Sequence, residues 1–161
     1  VSAHISSEVL RDPVHLLATG FGAGLMPRAP GTAGSLLALV PCWLLLYLSW
    51  PWRLAIATAV VVAGVWIAGE SARRLGQHDH PAIVLDEIAA MLALTLAVPR
   101  NVYWLLGAFV LFRLFDITKP WPIRDLDHRI GGGLGIMLDD IVAAAFAAFC
   151  LFLTRYLLES M

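Results

Sequence analysis

The chain has 161 residues, of which 60% are hydrophobic and 14% charged, against roughly 45–50% and 25% in an average soluble domain. That composition excludes disorder and points to a bilayer as part of the solvent, and the length leaves room for a single domain over 1–161, with 1–13 expected as a loosely ordered tail. With 11 Lys and Arg against 12 Asp and Glu the net charge is −1, so no basic excess exists to hold a nucleic-acid backbone, and nucleic acid is excluded as a partner.

In chain order, the first twenty residues hold Glu8, Arg11 and Asp12 where a signal peptide would show a basic region followed by an apolar stretch, so none is expected. Gly20 to Ser35, GFGAGLMPRAPGTAGS, reads as an irregular loop. Two readings of it stay open. It is either a nest of backbone N–H groups, with the Thr32 and Ser35 hydroxyls, opening onto a helix N-terminus that favours a phosphate, or a packed connection with Thr32 as N-cap. From Ala29 to Trp52 no charge occurs over 24 residues, and as one helix this run would reach ~36 Å, enough for a ~30 Å hydrocarbon layer. It is expected to be the strongest membrane span. Leu54 to Gly69 has 16 residues and reaches only ~24 Å unless Arg53 snorkels and Glu70 lies at the interface.

Three further apolar segments each carry acid at one end: Asp86 and Glu87 before Ile88 to Val98, Asp116 after Asn101 to Phe115, and Asp139 and Asp140 before Ile141 to Leu153. These runs are too long, too rich in Leu and Ala and too free of alternation to be strands, and Pro51, Pro81 and Pro99 fall between segments, where helices end at little cost. The expected fold is all-α, a compact membrane-embedded bundle of about five main apolar helices with Gly-rich loops. If every segment crosses, Arg11, Arg28, Arg73, Arg74, Arg113, Lys119, Arg124 and Arg129 share one side, and Arg53, Arg100 and Arg155 lie on the other with Trp50, Trp52, Tyr103, Trp104 and Tyr156 as an aromatic belt. The basic side is then cytoplasmic.

The same topology gathers every acid except Glu159 on that side. Acids abutting apolar helices are costly unless paired or metal-bound, so Asp86, Glu87, Asp116, Asp139 and Asp140 are candidates for a functional site. His78, Asp79 and His80 precede the Asp86–Glu87 pair, which is expected in the first turns of a helix starting near Pro81. His80 reads either as polar surface or as part of the site. Arg113, Asp116 and Lys119 are spaced by three and share a helix face, as an ion-pair ladder or as a phosphate clamp beside a metal-bound carboxylate. In GGGLGIMLDD a flexible glycine run is expected to deliver Asp139 and Asp140 into the first turn of the last helix. Carboxylate oxygens with few histidines select a hard cation, Mg²⁺ first and Mn²⁺ next, and argue against zinc.

Taken together and in this order, GFGAGLMPRAPGTAGS, HDHPAIVLDE, FRLFDITKPWPIRDLD and GGGLGIMLDD resemble the phosphatidylglycerophosphatase A family, over a stretch from about His15 to Ala148. The resemblance implies a bacterial inner-membrane enzyme with an all-helical fold and a Mg²⁺-dependent activity, removing the terminal phosphate of phosphatidylglycerophosphate. It singles out Thr32, Ser35, His80, Asp86, Glu87, Arg113, Asp116, Lys119, Asp139 and Asp140. Ala89 and Ala90 stand after the acid pair where Gly is expected among relatives.

On this basis the expected metal ligands are Glu87, Asp116, Asp139 and Asp140. Asp86 would accept a proton, Arg113 and Lys119 would neutralise the phosphoryl oxygens, and His80 would protonate the leaving oxygen. Thr32 and Ser35 join Arg113 and Lys119 as phosphate-binding groups. The acyl tails of the phospholipid would stay in the bilayer.

Other routes fit less well. Asp125 and Asp127 form a DxD, but no buried strand precedes it, as an aspartyl-phosphate mechanism would need. A thiol phosphatase requires Arg six positions after its Cys, where Cys42 and Cys150 have Leu48 and Tyr156. A PSGH-like stretch for histidine chemistry is missing. A CDP-alcohol phosphotransferase would share the GxxxD from Gly135 to Asp139 but requires a DGxxAR stretch before it. A small ion-binding transport protein would place its acids near mid-span.

Overall fold

The computed structural model describes residues 7–77, 80–121, 123 and 130–160. His78, Asp79, Arg124, Asp125, Asp127 and Arg129, and the first six residues of the expected tail, lie outside the described residues. Six α-helices and two short 3-10 turns are present among the described residues, with no strand. They are α1 (Pro13–Ala18), α2 (Pro30–Leu45), α3 (Trp50–Leu75), α4 (Leu85–Leu94), α5 (Val102–Thr118) and α6 (Gly132–Glu159). The turns cover Ser7–Arg11 and Ala23–Leu25.

α4 is the middle of the bundle. It packs against α2, α3 and α6, and Ala89, Ala90, Met91, Leu92 and Leu94 are all buried, as in a helix that is apolar around its circumference. Leu46, Phe112, Ile123 and Ala143 extend the same core into the neighbouring elements. At the N-terminal end Asp12 accepts a hydrogen bond from the Val14 N–H at 2.9 Å, and Pro13 supplies the pre-set first residue of α1. α1 is fixed to α3 by a buried contact of 2.9 Å between His15 Nδ1 and Ser71 Oγ, and by an ion pair between Asp12 and Arg74.

The helix boundaries differ from the charge-free runs. The run from Ala29 to Trp52 is not one helix: α2 stops at Leu45 after 16 residues, ~24 Å. α3 runs for 26 residues, ~39 Å. The break follows from backbone chemistry, not from charge. Pro51 favours the first turn of a new helix, and Arg53 takes up carbonyls left open at helix ends. Its guanidinium donates to Leu46 O at 2.8 Å, Leu48 O at 3.0 Å, Thr95 O at 3.3 Å and Val98 O at 3.4 Å. Arg53 therefore ties the ends of α2 and α4 to the start of α3. At the other end of α3, Glu70 pairs with Arg73 and Arg74, which lets the helix continue into polar surroundings to Leu75.

Among the described residues, α3 and α6 are the two helices long and apolar enough to cross a membrane. Their outer faces are apolar, with Val62 and Trp66 on α3 and Phe149 and Phe152 on α6 all exposed. They run antiparallel and close together, since Gly69 and then Gly64 on α3 meet Gly133 and Met137 on α6. A Cβ on Gly133 would lie 1.8 Å from Val65 O. The glycines of GGGLGIMLDD are thus helical packing positions, as expected where two backbones approach closely. The last helix begins at Gly132, so Asp139 and Asp140 sit about two turns inside it and not in its first turn.

Gly133→Ala should destabilise the protein by about 1–3 kcal/mol through overpacking against the α3 backbone. Gly107→Ala on α5, where a new Cβ meets nothing within 4 Å, should be neutral or stabilising by up to about 1 kcal/mol. Thermal melts of both variants in detergent micelles check the pair.

Candidate active site

The starts of α2 and α4, the end of α5 and the early turns of α6 meet at one end of the bundle, around a cavity of about 300 Å³. Asp86, Glu87, Arg113, Asp116, Lys119, Asp139 and Asp140 all line it, with Ala29, Pro30 and Gly31 forming another part of its wall. All five acids that the sequence singles out, each next to an apolar run, therefore share one cavity with both expected cations.

Close packing of the glycine-rich segment makes this possible. A Cβ on Gly24 would lie 2.0 Å from Ala82 O, one on Gly34 2.7 Å from Val84 Cβ, and one on Gly31 2.1 Å from Glu87 Oε1. The segment is thus a packed connection whose second half is already helix, because Pro30 opens α2 and Ala29 before it takes a left-handed backbone. Gly31, which the sequence marks only as one of several loop glycines, is the residue that lets Glu87 and Arg113 stand against the start of α2. Neither Thr32 nor Ser35 lines the cavity. Ser35 is fully buried, donates its hydroxyl to Gly31 O at 2.8 Å, and accepts from Arg113 Nη1 at 3.5 Å.

The acids divide into groups by helical direction. Successive residues on a helix point ~100° apart, so Asp139 and Asp140 face different neighbours. Asp140 turns to the start of α4, where Asp86, Glu87 and Asp140 each offer a carboxylate oxygen within 4.8 Å of the others. Asp139 Oδ2 instead accepts from Lys119 Nζ at 2.7 Å. Asp116 is paired with Arg113 Nη1, which also lies 3.8 Å from Glu87 Oε1. Asp86 thus belongs to the three-acid cluster; Asp116, expected beside Glu87 and Asp140, does stand against both while paired with Arg113, and Asp139 is held by Lys119.

Three acids buried together repel one another. Burial, with the neighbouring Glu87 and Asp140 charges, pushes the Asp86 carboxyl well above the ordinary carboxylate range. Burial also raises Glu87, against the opposing effects of Asp86 and Arg113. Glu87 Oε2 and Asp140 Oδ2 are buried without a hydrogen-bond partner, as is Arg113 Nε. Unpartnered buried oxygens in an all-carboxylate set fit a hard divalent cation, which would satisfy them and reverse the repulsion. The unpartnered guanidinium N–H beside them fits an anion such as a phosphoryl group.

His80 does not line the cavity. It is buried, and its Nδ1 accepts from the Ala82 N–H at 3.1 Å, so it shapes the turn that leads into α4. That helix begins at Leu85 and not near Pro81, because the backbone between them forms a turn from His80 O to the Ile83 N–H and a bond from the Val84 N–H to Ala18 O. Asp86 and Glu87 still fall in its first turn.

Comparison with known proteins gives a consistent result. The family model described as phosphatidylglycerophosphatase A matches residues 16–155. Phosphatidylglycerophosphatase A of Escherichia coli (strain K12) is 43% identical over 145 residues, covering 89% of this chain and 84% of the relative. The protein of that name from Haemophilus influenzae is 42% identical over 149 residues, covering 91% of each chain. A Bacteroides thetaiotaomicron relative, provisionally named phosphatidylinositol-3-phosphatase, is 38% identical over 152 residues, covering 89% of this chain and 94% of its own. No solved structure matches.

Separating the acids by their partners has a measurable consequence. Asp140→Asn should weaken Mn²⁺ binding, read by electron paramagnetic resonance, at least about tenfold, with a smaller loss for Asp139→Asn. Equal losses would place Asp139 among the ligands.

Proposed function

The chain belongs to the phosphatidylglycerophosphatase A family, and from that premise we propose that it hydrolyses phosphatidylglycerophosphate to phosphatidylglycerol and inorganic phosphate. The observation that carries the reading is the cavity itself, where a three-carboxylate cluster stands beside the Arg113 guanidinium under the first turn of α2. A phosphomonoester dianion needs positive charge on both faces, and this wall is equipped to supply it from Arg113 and from a cation held by the acids.

Asp86, Glu87 and Asp140 would hold Mg²⁺, with Mn²⁺ as a substitute. When bound, the ion polarises the phosphoryl oxygens and favours water as nucleophile. Arg113 binds the phosphoryl group and stabilises charge on its oxygens as the bond to water forms and the ester bond breaks. Asp116 orients Arg113 through their ion pair, and Ser35 supports the same side chain from α2. Gly31 keeps the wall open, since any side chain there would occupy the position of the Glu87 carboxylate. One proton of the attacking water ends on the released glycerol oxygen, so the products balance without another reactant. His80 and Thr32, outside the cavity wall, serve the surrounding turn and helix and not the reacting atoms.

The same geometry supports a membrane setting. α3 and α6 cross a bacterial inner membrane, with the shorter α2, α4 and α5 packed on them and the site at the cytoplasmic end. Arg28, Arg73, Arg74, Arg113 and Lys119 belong to that end, whereas Arg53 and Arg100 belong to the opposite one, in line with the charge bias of cytoplasmic surfaces. The lipid would present its headgroup to the cavity while its tails remain in the bilayer.

Phosphate release from phosphatidylglycerophosphate by the purified protein should require Mg²⁺ and stop with EDTA, and Asp140→Asn or Arg113→Gln should lower the rate about a hundredfold or more. Equal rates with and without the chelator would remove the metal role. Faster turnover of phosphatidylinositol phosphates or soluble glycerol phosphates in the same assay would reassign the substrate.

A further inference from the structure

Resting on the reading above, we propose that the Lys119–Asp139 pair forms a second anion subsite, which binds the phosphodiester joining the headgroup to the diacylglycerol and so selects lipids that carry both phosphates. The cavity holds two cation–carboxylate pairs, and they are not equivalent. Arg113 lies within the acid cluster, bonded to Asp116 and 3.8 Å from Glu87, with its side chain 14% exposed. Lys119 is paired with Asp139 on α6, 2.7 Å away, and is more open at 27%.

The backbone sets this separation. α5 ends at Thr118, and Lys119 takes a left-handed conformation, φ 39°, which L residues avoid. The chain thereby leaves the helix axis before Pro120, and the lysine side chain reaches across to α6. There it meets Asp139, whose direction differs by ~100° from that of Asp140 in the three-carboxylate cluster. One wall therefore presents a forked guanidinium beside the three carboxylates, and another presents the Lys119 ammonium paired with Asp139. The first suits a phosphomonoester dianion, which accepts bidentate bonds, and the second suits the single charge of a diester.

Substrate chemistry supplies the match. Phosphatidylglycerophosphate has a reacting monoester and a non-reacting diester separated by one glycerol. Arg113 lies within α5 and Lys119 is the residue just past its end, and both line the one cavity, so one headgroup can engage both. The lysine end of the pair is 27% exposed, so a diester oxygen can join Asp139 as a further partner of the ammonium without leaving the buried carboxylate unpaired. Asp139 holds the ammonium in place while no lipid is bound.

The experiment compares steady-state kinetics of wild type, Lys119→Gln and Lys119→Arg on phosphatidylglycerophosphate in mixed micelles, with melting temperatures as the folding control. Lys119→Gln should raise KM at least about tenfold with kcat within about threefold, and Lys119→Arg should recover most of the KM. The inhibition constant of inorganic phosphate, which lacks a diester, should change less than about twofold in Lys119→Gln. In the wild type, glycerophosphoglycerol, which has the diester and no monoester, should compete with the lipid.

A fall in kcat at constant KM, or loss of inorganic phosphate inhibition in Lys119→Gln, overturns the subsite by assigning Lys119 to the reacting phosphoryl group. Failure of glycerophosphoglycerol to compete overturns it without reference to any variant. No phosphate release by the wild type overturns the parent activity and the subsite with it.

Discussion

Repulsion among carboxylates gathered at the end of an apolar bundle is the constraint around which this protein is built. Removing a carboxylate from water costs several kcal/mol unless a counter-charge replaces the lost solvation. Asp86, Glu87, Asp116, Asp139 and Asp140 share one cavity wall with two cations. Arg113 and Lys119 each neutralise one acid directly, and the remaining three are left together with two unpartnered oxygens. That residual charge is uneconomical for stability and useful for binding a divalent ion, which is the trade expected where a fold keeps a functional site.

The bundle tolerates this arrangement because its other contacts are strong and close. α4 is buried at Asp86 and over most of Ala89–Leu94, which anchors its first turn and the acids it carries. The bare glycines of α2 and of the preceding turn press against that same first turn, and those of α6 press against α3. At the far end Arg53 satisfies four carbonyls from the ends of α2 and α4. One end of the molecule is therefore closed by hydrogen bonds to backbone, and the other is left with side-chain charge facing a cavity.

The all-helical fold was legible in the sequence because Leu- and Ala-rich runs without alternation admit no strand, and six helices among the described residues agree with it. Helix boundaries were less legible. Absence of charge over Ala29 to Trp52 suggested one long span, but charge says nothing about where a backbone turns. Pro30 and Pro51 each open a helix, and the turn between α2 and α3 is held by an arginine from beyond the run. Glu70 suggested an interface, yet its pairing with Arg73 and Arg74 lets α3 continue past it.

What the sequence alone determined is which charged groups are candidates for the site. A carboxylate beside an apolar helix is expensive wherever it lies, so Asp86, Glu87, Asp116, Asp139 and Asp140 could be singled out before any contact was known, and the cations of α5 with them. Only the tertiary structure decided how they divide. Which of two adjacent acids faces the Asp86–Glu87 carboxylates and which faces Lys119 depends on where α6 begins and how it is rotated against α4 and α5, which the GGGLGIMLDD stretch by itself leaves undetermined. The same holds for Gly31 and Ser35. Their value lies in contacts with Glu87 and Arg113, residues distant in the chain, and local sequence carries no record of which side chain will arrive opposite a glycine.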